Sequence, residues 1–342
     1  MRQAVLYYAC GGGWGHTTRM LSLARQLKRL MPGEHCVVTN SPFAPSMAAA
    51  ASRWGVTLQL VSDRASAESV RAELERIVDS FRPSLLVVDT FPRGVGGELV
   101  ELMEGHAAWR AMSKVLISRP LPQAYVDQME LVSWVERHYR AVIGCGEPSP
   151  LVSACGGYDA GPFLILNCDE LPDRSAAAAR WGLDPDQPTV LLVGTGTAAE
   201  IVEQLPMAER LRELASQVGV QFGWAWPESL AVPPGLVRNW EGQMVRHYPL
   251  LELLPAVDLV LGSAGYNLSW ETRRLSIPAQ LWAQPRRYDD QRLRSTVELN
   301  ADRLSELLAG VRVIPRGASR EVSYANGAVV AAEWLAQNFL PG

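Results

Sequence analysis

Ala4-Val5-Leu6-Tyr7-Tyr8-Ala9-Cys10-Gly11-Gly12-Gly13-Trp14-Gly15-His16-Thr17-Thr18-Arg19 reads as an apolar strand, a glycine turn and the opening of a helix. An unbroken apolar run suits a strand buried on both faces, the kind found in parallel sheets. The glycine turn presents bare backbone N–H groups at the positive end of a helix dipole, which favours an anion or a polar ligand. His16 then falls just beyond the strand, at the carboxyl edge of the sheet, where open α/β folds bind ligands. Neutral imidazole is a natural general base near pH 7. The plainer alternative is a helix-start histidine bonded to nearby backbone. Arg19, one turn later, suits either an anion or a surface salt bridge.

Outward from this stretch the same rhythm repeats. Cys36–Asn40, Thr57–Val61, Leu85–Asp89, Val115–Ser118 and Ala141–Cys145 read as further strands, with helices over Thr17–Leu30, Ala44–Trp54 and Ala67–Phe81 between them. Such alternation predicts a parallel α/β sheet. The polar, proline-punctuated segment Asn167–Pro188 marks a boundary, after which a second α/β unit restarts. Its strands are expected at Thr189–Val193, Gln221–Trp224, Val237–Trp240, Leu259–Leu261 and Ala279–Trp282, followed by a helix from about Asp290 and a late strand near Val311–Ile314. A last helix spans Tyr324–Asn338. The chain therefore divides into residues 1–166 and 167–342, two Rossmann-like, doubly wound parallel-sheet domains, with the last helix placed to pack back on the first. At roughly 150 residues per domain, 342 residues fit that division.

Composition removes several function classes. Lys+Arg 32 against Asp+Glu 36 gives a net charge of −4, without the basic excess expected of a nucleic-acid-binding surface. No apolar run approaches the roughly 20 residues of a membrane helix, and the glycines after Cys10 cut short any leader. Five cysteines without a C-x-x-C pair argue against a disulfide framework or a structural zinc site, and point to free thiols in a cytoplasmic protein. The dinucleotide pattern fails because His16 stands where its third glycine belongs and Asn40 where an acid should end the second strand. No Walker phosphate loop is present, and the serine-hydrolase elbow fails because Leu261 replaces the first glycine of G-x-S-x-G around Ser263.

Other candidates lie at strand ends. Asp89 closes Leu85-Leu86-Val87-Val88 and is placed either to orient His16 or to cap its own turn. Glu98 is a weaker candidate for the same place, and His35, His106 and His138 read as surface residues. In the second half, Val193-Gly194-Thr195-Gly196-Thr197 repeats the strand-to-glycine-to-helix construction. Leu261-Gly262-Ser263-Ala264-Gly265-Tyr266-Asn267 does so again, with small residues at a helix N-terminus suited to a diphosphate held without lysine. Glu271, later on that helix, has the chemistry to accept both hydroxyls of a ribose or simply to be solvated. Asp289, Asp290 and Gln291 bring carboxylates and an amide suited to sugar hydroxyls, with helix capping as the alternative.

Together these segments resemble the GT-B glycosyltransferase superfamily, in the style of bacterial lipid-linked N-acetylglucosaminyltransferases and UDP-glycosyltransferases. The likeness rests on Gly13-Trp14-Gly15-His16-Thr17-Thr18-Arg19, on Leu253-Leu254-Pro255-Ala256-Val257-Asp258 running into Leu259–Glu271, and on Asp289-Asp290-Gln291-Arg292. The resemblance implies two domains facing across a cleft, the first for the acceptor and the second for a nucleotide-sugar, UDP-linked. It implies inverting transfer to an acceptor hydroxyl with no obligatory cofactor or metal. His16 would be the base, with Asp89 beside it and Gly13 and Gly15 in the loop. Gly194, Thr195, Gly196, Thr197, Ser263, Ala264, Gly265 and Asn267 would meet the donor. Glu271 would hold the ribose, Asp290 and Gln291 would read the sugar, and Trp240, Gln243 and Met244 would lie in the base-binding loop. The acceptor is a small molecule, a glycan or a lipid-linked sugar. Membrane contact is allowed but not implied, and nucleic acid is no partner. A UDP-sugar hydrolase or epimerase, or a non-catalytic nucleotide-sugar-binding protein, is the alternative on the same fold. The D-x-D at Asp184-Pro185-Asp186 lies in the connector and reads as a turn.

Overall fold

The computed structural model describes residues 3–62, 66–194, 196–231, 244–296, 308, 310, 311 and 324–339. Two compact units emerge, Met1–Ile165 with Ala325–Gly342, and Leu166–Tyr324.

In the first unit the strands are β1 (Ala4–Tyr8), β2 (Glu34–Thr39), β3 (Thr57–Leu60), β4 (Leu85–Asp89), β5 (Ser113–Ser118), β6 (Ala141–Gly144) and β7 (Tyr158–Asp159). Among the described residues they form one sheet in the order β3-β2-β1-β4-β5-β6-β7, with every pairing parallel. β1 and β4 are buried along their whole length, as their apolar sequences require of strands covered on both faces. Strand order reverses between β1 and β4, so the chain leaves these neighbours toward opposite faces of the sheet. The crevice between their carboxyl ends is the topological switch point, where this architecture binds ligands. The helix after β1 runs Trp14–Leu30, three residues earlier than its periodicity suggested, which puts His16 in its first turn. The final helix, Gly327–Phe339, packs its buried Ala328, Ala331, Ala332 and Leu335 in this same unit, against the first helix. Asn326 secures its start, accepting from the Leu164 N–H at 3.0 Å and donating to the Leu164 carbonyl at 2.8 Å.

The second unit holds β8 (Thr189–Val193), β9 (Gln221–Ala225), β10 (Met244–Val245), β11 (Leu259–Ser263) and β12 (Ala279–Trp282). Among the described residues their order is β10-β9-β8-β11-β12, again parallel throughout. Here the switch point lies between β8 and β11, the two strands followed by the glycine loops. The strand expected at Val237–Trp240 lies outside the described residues, as does all of the one near Val311–Ile314 except Val311. Two expectations fail. Met244, read as part of a loop, opens the two-residue strand Met244–Val245, paired with Trp224 and Ala225. In place of the helix expected from about Asp290, residues 290–296 hold a single 3₁₀ turn, Gln291–Leu293, with Asp290 as its N-cap accepting from the Arg292 N–H. Asp184-Pro185-Asp186 forms a turn closed by the Asp186 N–H on Asp184 Oδ1 at 2.9 Å. Among the described residues no helix is long and apolar enough to cross a membrane, and all five cysteines are free thiols.

Candidate active site

His16 and Asp89 meet at the first switch point. The His16 Nδ1 stands 2.5 Å from Asp89 Oδ2. Asp89 is fully buried and would be costly to ionise alone. Arg19, equally buried, meets it with a two-pronged fork, Nε to Oδ1 at 2.8 Å and Nη2 to Oδ2 at 2.6 Å. The Thr90 hydroxyl donates to Oδ2 at 3.2 Å. Burial opposes the Asp89 charge, but the Arg19 charge and the His16 hydrogen bond outweigh it and hold the carboxyl well below the usual range. An ionised carboxylate has no proton to give, so the hydrogen in the short contact sits on Nδ1 and the lone pair on Nε2. Arg19 Nη2, 3.4 Å from the same Nδ1, therefore makes no hydrogen bond to it. Burial lowers the His16 pKa, Asp89 pulls it back up, and Arg19 and Arg119 push it down again, leaving it below the ordinary histidine value. The result is a neutral imidazole at pH 7 with its ring edge still 16% exposed.

The loop that carries His16 differs from its expected use. The Gly11 and Gly12 N–H groups donate to Asn40 Oδ1 at 2.8 and 3.1 Å, so the amide of Asn40 fills the anion position that the glycines offered. Gly11 is the glycine this loop needs, since a Cβ there would overlap Cδ2 and Nε2 of His16. Gly13 and Gly15 face open space or the edge of Arg19, and a Cβ on either meets nothing closer than 3.9 Å. Trp14 stacks on Phe43 with ring centroids 5.0 Å apart, and Phe91 tilts against the imidazole at 5.6 Å. Thr90 adopts φ 64°, a left-handed conformation that a β-branched residue takes only under constraint. Two readings are corrected. Glu98 is no partner of His16, because Tyr8 donates to its Oε1 and the Gly96 N–H to its Oε2 at 2.7 Å. His35 is buried, bonded to Tyr7 at 2.9 Å and to the Met31 carbonyl at 2.9 Å.

The two glycine loops of the second unit are unlike each other. In the first, the Gly194 N–H donates to the Ala225 carbonyl at 3.0 Å, extending the β8–β9 ladder. Thr197 and Glu200 form a capping box, with the Thr197 N–H on Glu200 Oε2 at 2.6 Å and the Glu200 N–H on the Thr197 hydroxyl at 3.3 Å. Arg286 then clamps Glu200 at 2.5 and 3.0 Å. Gly196, at φ 104°, lets the chain turn over that carboxylate. The Gly194 and Thr197 N–H groups are thus engaged inside the unit itself. Thr195 lies outside the described residues.

The loop after β11 is more open. The Ala264 N–H pairs with the Trp282 carbonyl at 2.8 Å, and the Ala264 carbonyl accepts from Arg294 Nε at 2.9 Å. Arg294 in turn holds Asp289 at 2.5 Å. Gly265 caps the helix Tyr266–Arg274 in an extended conformation, with open space where a side chain would be and no side chain capping the first turn. Ser263 is buried and Asn267 half-buried in this turn. Glu271, on the same helix, is 7% exposed and has no hydrogen bond or ion pair among the described residues; burial pushes its carboxyl up to about 7. Gln291 is buried, its Oε1 fixed by the Gln284 N–H at 3.0 Å. Asp290 is half-exposed and paired with Arg292 at 2.8 and 2.9 Å. Met244 is half-buried at the end of the sheet, while Trp240 and Gln243 lie outside the described residues.

No protein-family model matches the sequence. A UDP-N-acetylglucosamine–N-acetylmuramyl-(pentapeptide) pyrophosphoryl-undecaprenol N-acetylglucosamine transferase from Clavibacter michiganensis is 25% identical over 294 residues, covering 80% of this chain and 75% of that one. The structure of the glycotransferase of kitacinnamycin superposes with a TM-score of 0.60 at 16% identity, over 100% of both chains. The chain has the GT-B fold. The fold by itself is broader than glycosyl transfer, for a putative UDP-N-acetylglucosamine 2-epimerase from Listeria monocytogenes gives a TM-score of 0.56 at 10% identity, over 100% of this chain and 98% of that one. Sequence reasoning singled out Arg19 as an anion partner or surface salt bridge and not as the partner of Asp89, and it gave no role to Gly11, Asn40 or Thr90. Only Arg19 left a usable signal, since its i,i+3 spacing from His16 places both on one helix face.

Proposed function

We propose that the protein transfers a sugar from a UDP-linked donor to an acceptor hydroxyl, with inversion and without a metal. The observation that carries this reading is the His16 imidazole, neutral, with Nδ1–H committed to Asp89, the lone pair left on Nε2 and the side chain still partly exposed. In the reaction Nε2 takes the hydroxyl proton as the oxygen attacks the anomeric carbon from the side opposite the diphosphate. The C–O bond to phosphate breaks and its electron pair leaves with UDP. Asp89 stays ionised and stabilises the imidazolium.

The donor assignment draws on the second unit. Glu271, a buried carboxylate without a partner among the described residues, suits the two hydroxyls of a ribose. The uncapped first turn at Tyr266 and Asn267, with Ser263, Ala264 and Gly265 before it, suits the diphosphate and the charge it gains on leaving. Gln291 and Asp290 are assigned to the sugar, and Met244, with Trp240 and Gln243, to the base. The first unit, which carries His16, is assigned to the acceptor. UDP is favoured over other nucleotides because the Clavibacter relative is named for a UDP-sugar.

The test is incubation with UDP- and dTDP-sugars in EDTA, with and without candidate acceptors, following nucleotide release and the anomeric configuration of the product by NMR. Acceptor-dependent UDP release with inversion is the expected result. Free sugar without acceptor identifies a hydrolase, and a 2-epimer identifies the activity for which the Listeria structural neighbour is named. Absence of both turnover and nucleotide binding removes the reading.

A further inference from the structure

Asp89 holds more donors than a dyad needs. A histidine beside a lone carboxylate gains the carboxylate's full attraction for a proton and becomes a stronger base, charged at higher pH. Here the same carboxylate is engaged by Arg19 on both oxygens, at 2.8 and 2.6 Å, in a site where neither side chain reaches water. The Thr90 hydroxyl adds a contact of 3.2 Å to Oδ2, and Thr90 is held at φ 64° while making it. The charged groups acting on His16 are Asp89 at the end of β4, Arg19 on its own helix and Arg119 just after β5, which Glu147 offsets at 3.2 Å. The Asp89–Arg19 pair is close to neutral as seen from the imidazole, although its geometry still fixes the Nδ1 hydrogen.

We propose that Arg19 is a positioning residue for the His16 base, clamping the Asp89 carboxylate so that it orients the imidazole without lending it the full carboxylate charge. The inference rests on His16 acting as the base, and it deepens that reading by assigning the second partner of its carboxylate. Its consequence is a base whose Nε2 stays unprotonated at neutral pH and below, at the cost of a weaker pull on the acceptor proton. The arrangement separates two jobs that a simple dyad couples: choosing the tautomer, which Asp89 does by geometry, and setting the charge, which Arg19 does through Asp89.

The experiment is an NMR titration of the imidazole nitrogens in ¹⁵N-histidine-labelled protein, with His16 assigned by the signal lost in His16→Gln. It needs no substrate, so its outcome is independent of whether a sugar is transferred. In the wild type the Nδ1–H tautomer is expected, titrating below the ordinary histidine value. Arg19→Met should raise the His16 pKa by on the order of one unit or more, and Arg19→Lys should hold it near the wild-type value. Where Arg19→Met does not fold, the double variant Arg19→Met/Asp89→Asn removes both buried charges together and reports the same balance. A His16 pKa within roughly half a unit of wild type supports the proposal, because two opposing effects have been removed at once. An unchanged pKa in Arg19→Met overturns it. So does a pKa far below wild type in the double variant, which would mean that Asp89 had acted alone. An acid limb of kcat/KM that moves up in pH in Arg19→Met and returns in Arg19→Lys would carry the same conclusion into turnover.

Discussion

Two buried carboxylates, Asp89 at the end of β4 in the first unit and Glu271 on the helix that follows β11 in the second, are treated in opposite ways. Asp89 accepts from Arg19, His16 and Thr90 and is held well below the usual carboxylate range. Glu271 has no such contact among the described residues and is pushed up to about 7. A satisfied buried charge belongs to machinery that is complete before any ligand arrives. An unsatisfied one costs free energy until something supplies hydrogen-bond donors, and so marks where binding is expected.

The strongest way to break this contrast is Asp89→Ala, which leaves the Arg19 guanidinium buried and uncompensated. A loss of about 3–5 kcal/mol in urea unfolding is expected, together with loss of turnover. His16→Ala separates chemistry from architecture. Turnover should fall by about 10²–10⁴-fold, while nucleotide affinity measured by calorimetry stays at the wild-type level. Gly11→Ala pushes a methyl group into the imidazole and should cost on the order of 10²-fold in kcat by misplacing the base. Gly13→Ala, where a Cβ meets nothing, serves as its control and should retain most of the rate.

Glu271→Gln gives the smallest effect and the sharpest sign. A carboxyl raised from 4.5 to about 7 binds its proton more tightly folded than unfolded. Its contribution to stability is therefore complete below about pH 4.5 and is lost as pH climbs toward 7. Asp89 behaves inversely, its contribution present above the ordinary aspartate range and lost in acid. Between pH 5 and 7 the stability of Glu271→Gln relative to wild type should rise by roughly 2 kcal/mol, read from urea midpoints at the two pH values. The same substitution should weaken UDP binding by roughly 10- to 150-fold, the value of hydrogen bonds to a charged acceptor. A variant that gains stability while losing ligand would be the clearest mark of a site kept open for binding; unchanged UDP affinity would remove Glu271 from the donor site.

Much of this arrangement was visible in the residues. Strands covered on both faces must be apolar throughout, which is why Ala4–Tyr8, Leu85–Asp89 and Thr189–Val193 stand out within an ordinary composition. His16 and Asp89 were accessible for the same reason, since each follows or ends such a strand. Depth was not accessible. An arginine three residues after a histidine has the same letters whether it lies in water or, like Arg19, beneath the site. The left-handed backbone of Thr90 carries no signature either, because glycine or asparagine would be expected there. The loop at Gly194–Thr197 is a different case. Its Thr197-Ala198-Ala199-Glu200 has the S/T-x-x-E spacing of a capping box, which was legible and which competes with a phosphate for the same N–H groups. The burial of Glu271 depends on what packs around its helix, and no local pattern encodes that.

The final helix has a consequence for the order in which the molecule is made. Residues 166–324 leave the ribosome before Gly327–Phe339, yet that helix completes the unit to which His16 belongs. Synthesis at about 5–20 residues per second puts an interval on the order of ten seconds or more between the last strand of the first unit and its closing helix. During that interval the first helix lacks the apolar neighbour that later covers it. The second unit can therefore finish folding while the unit that carries His16 is still waiting for its last piece.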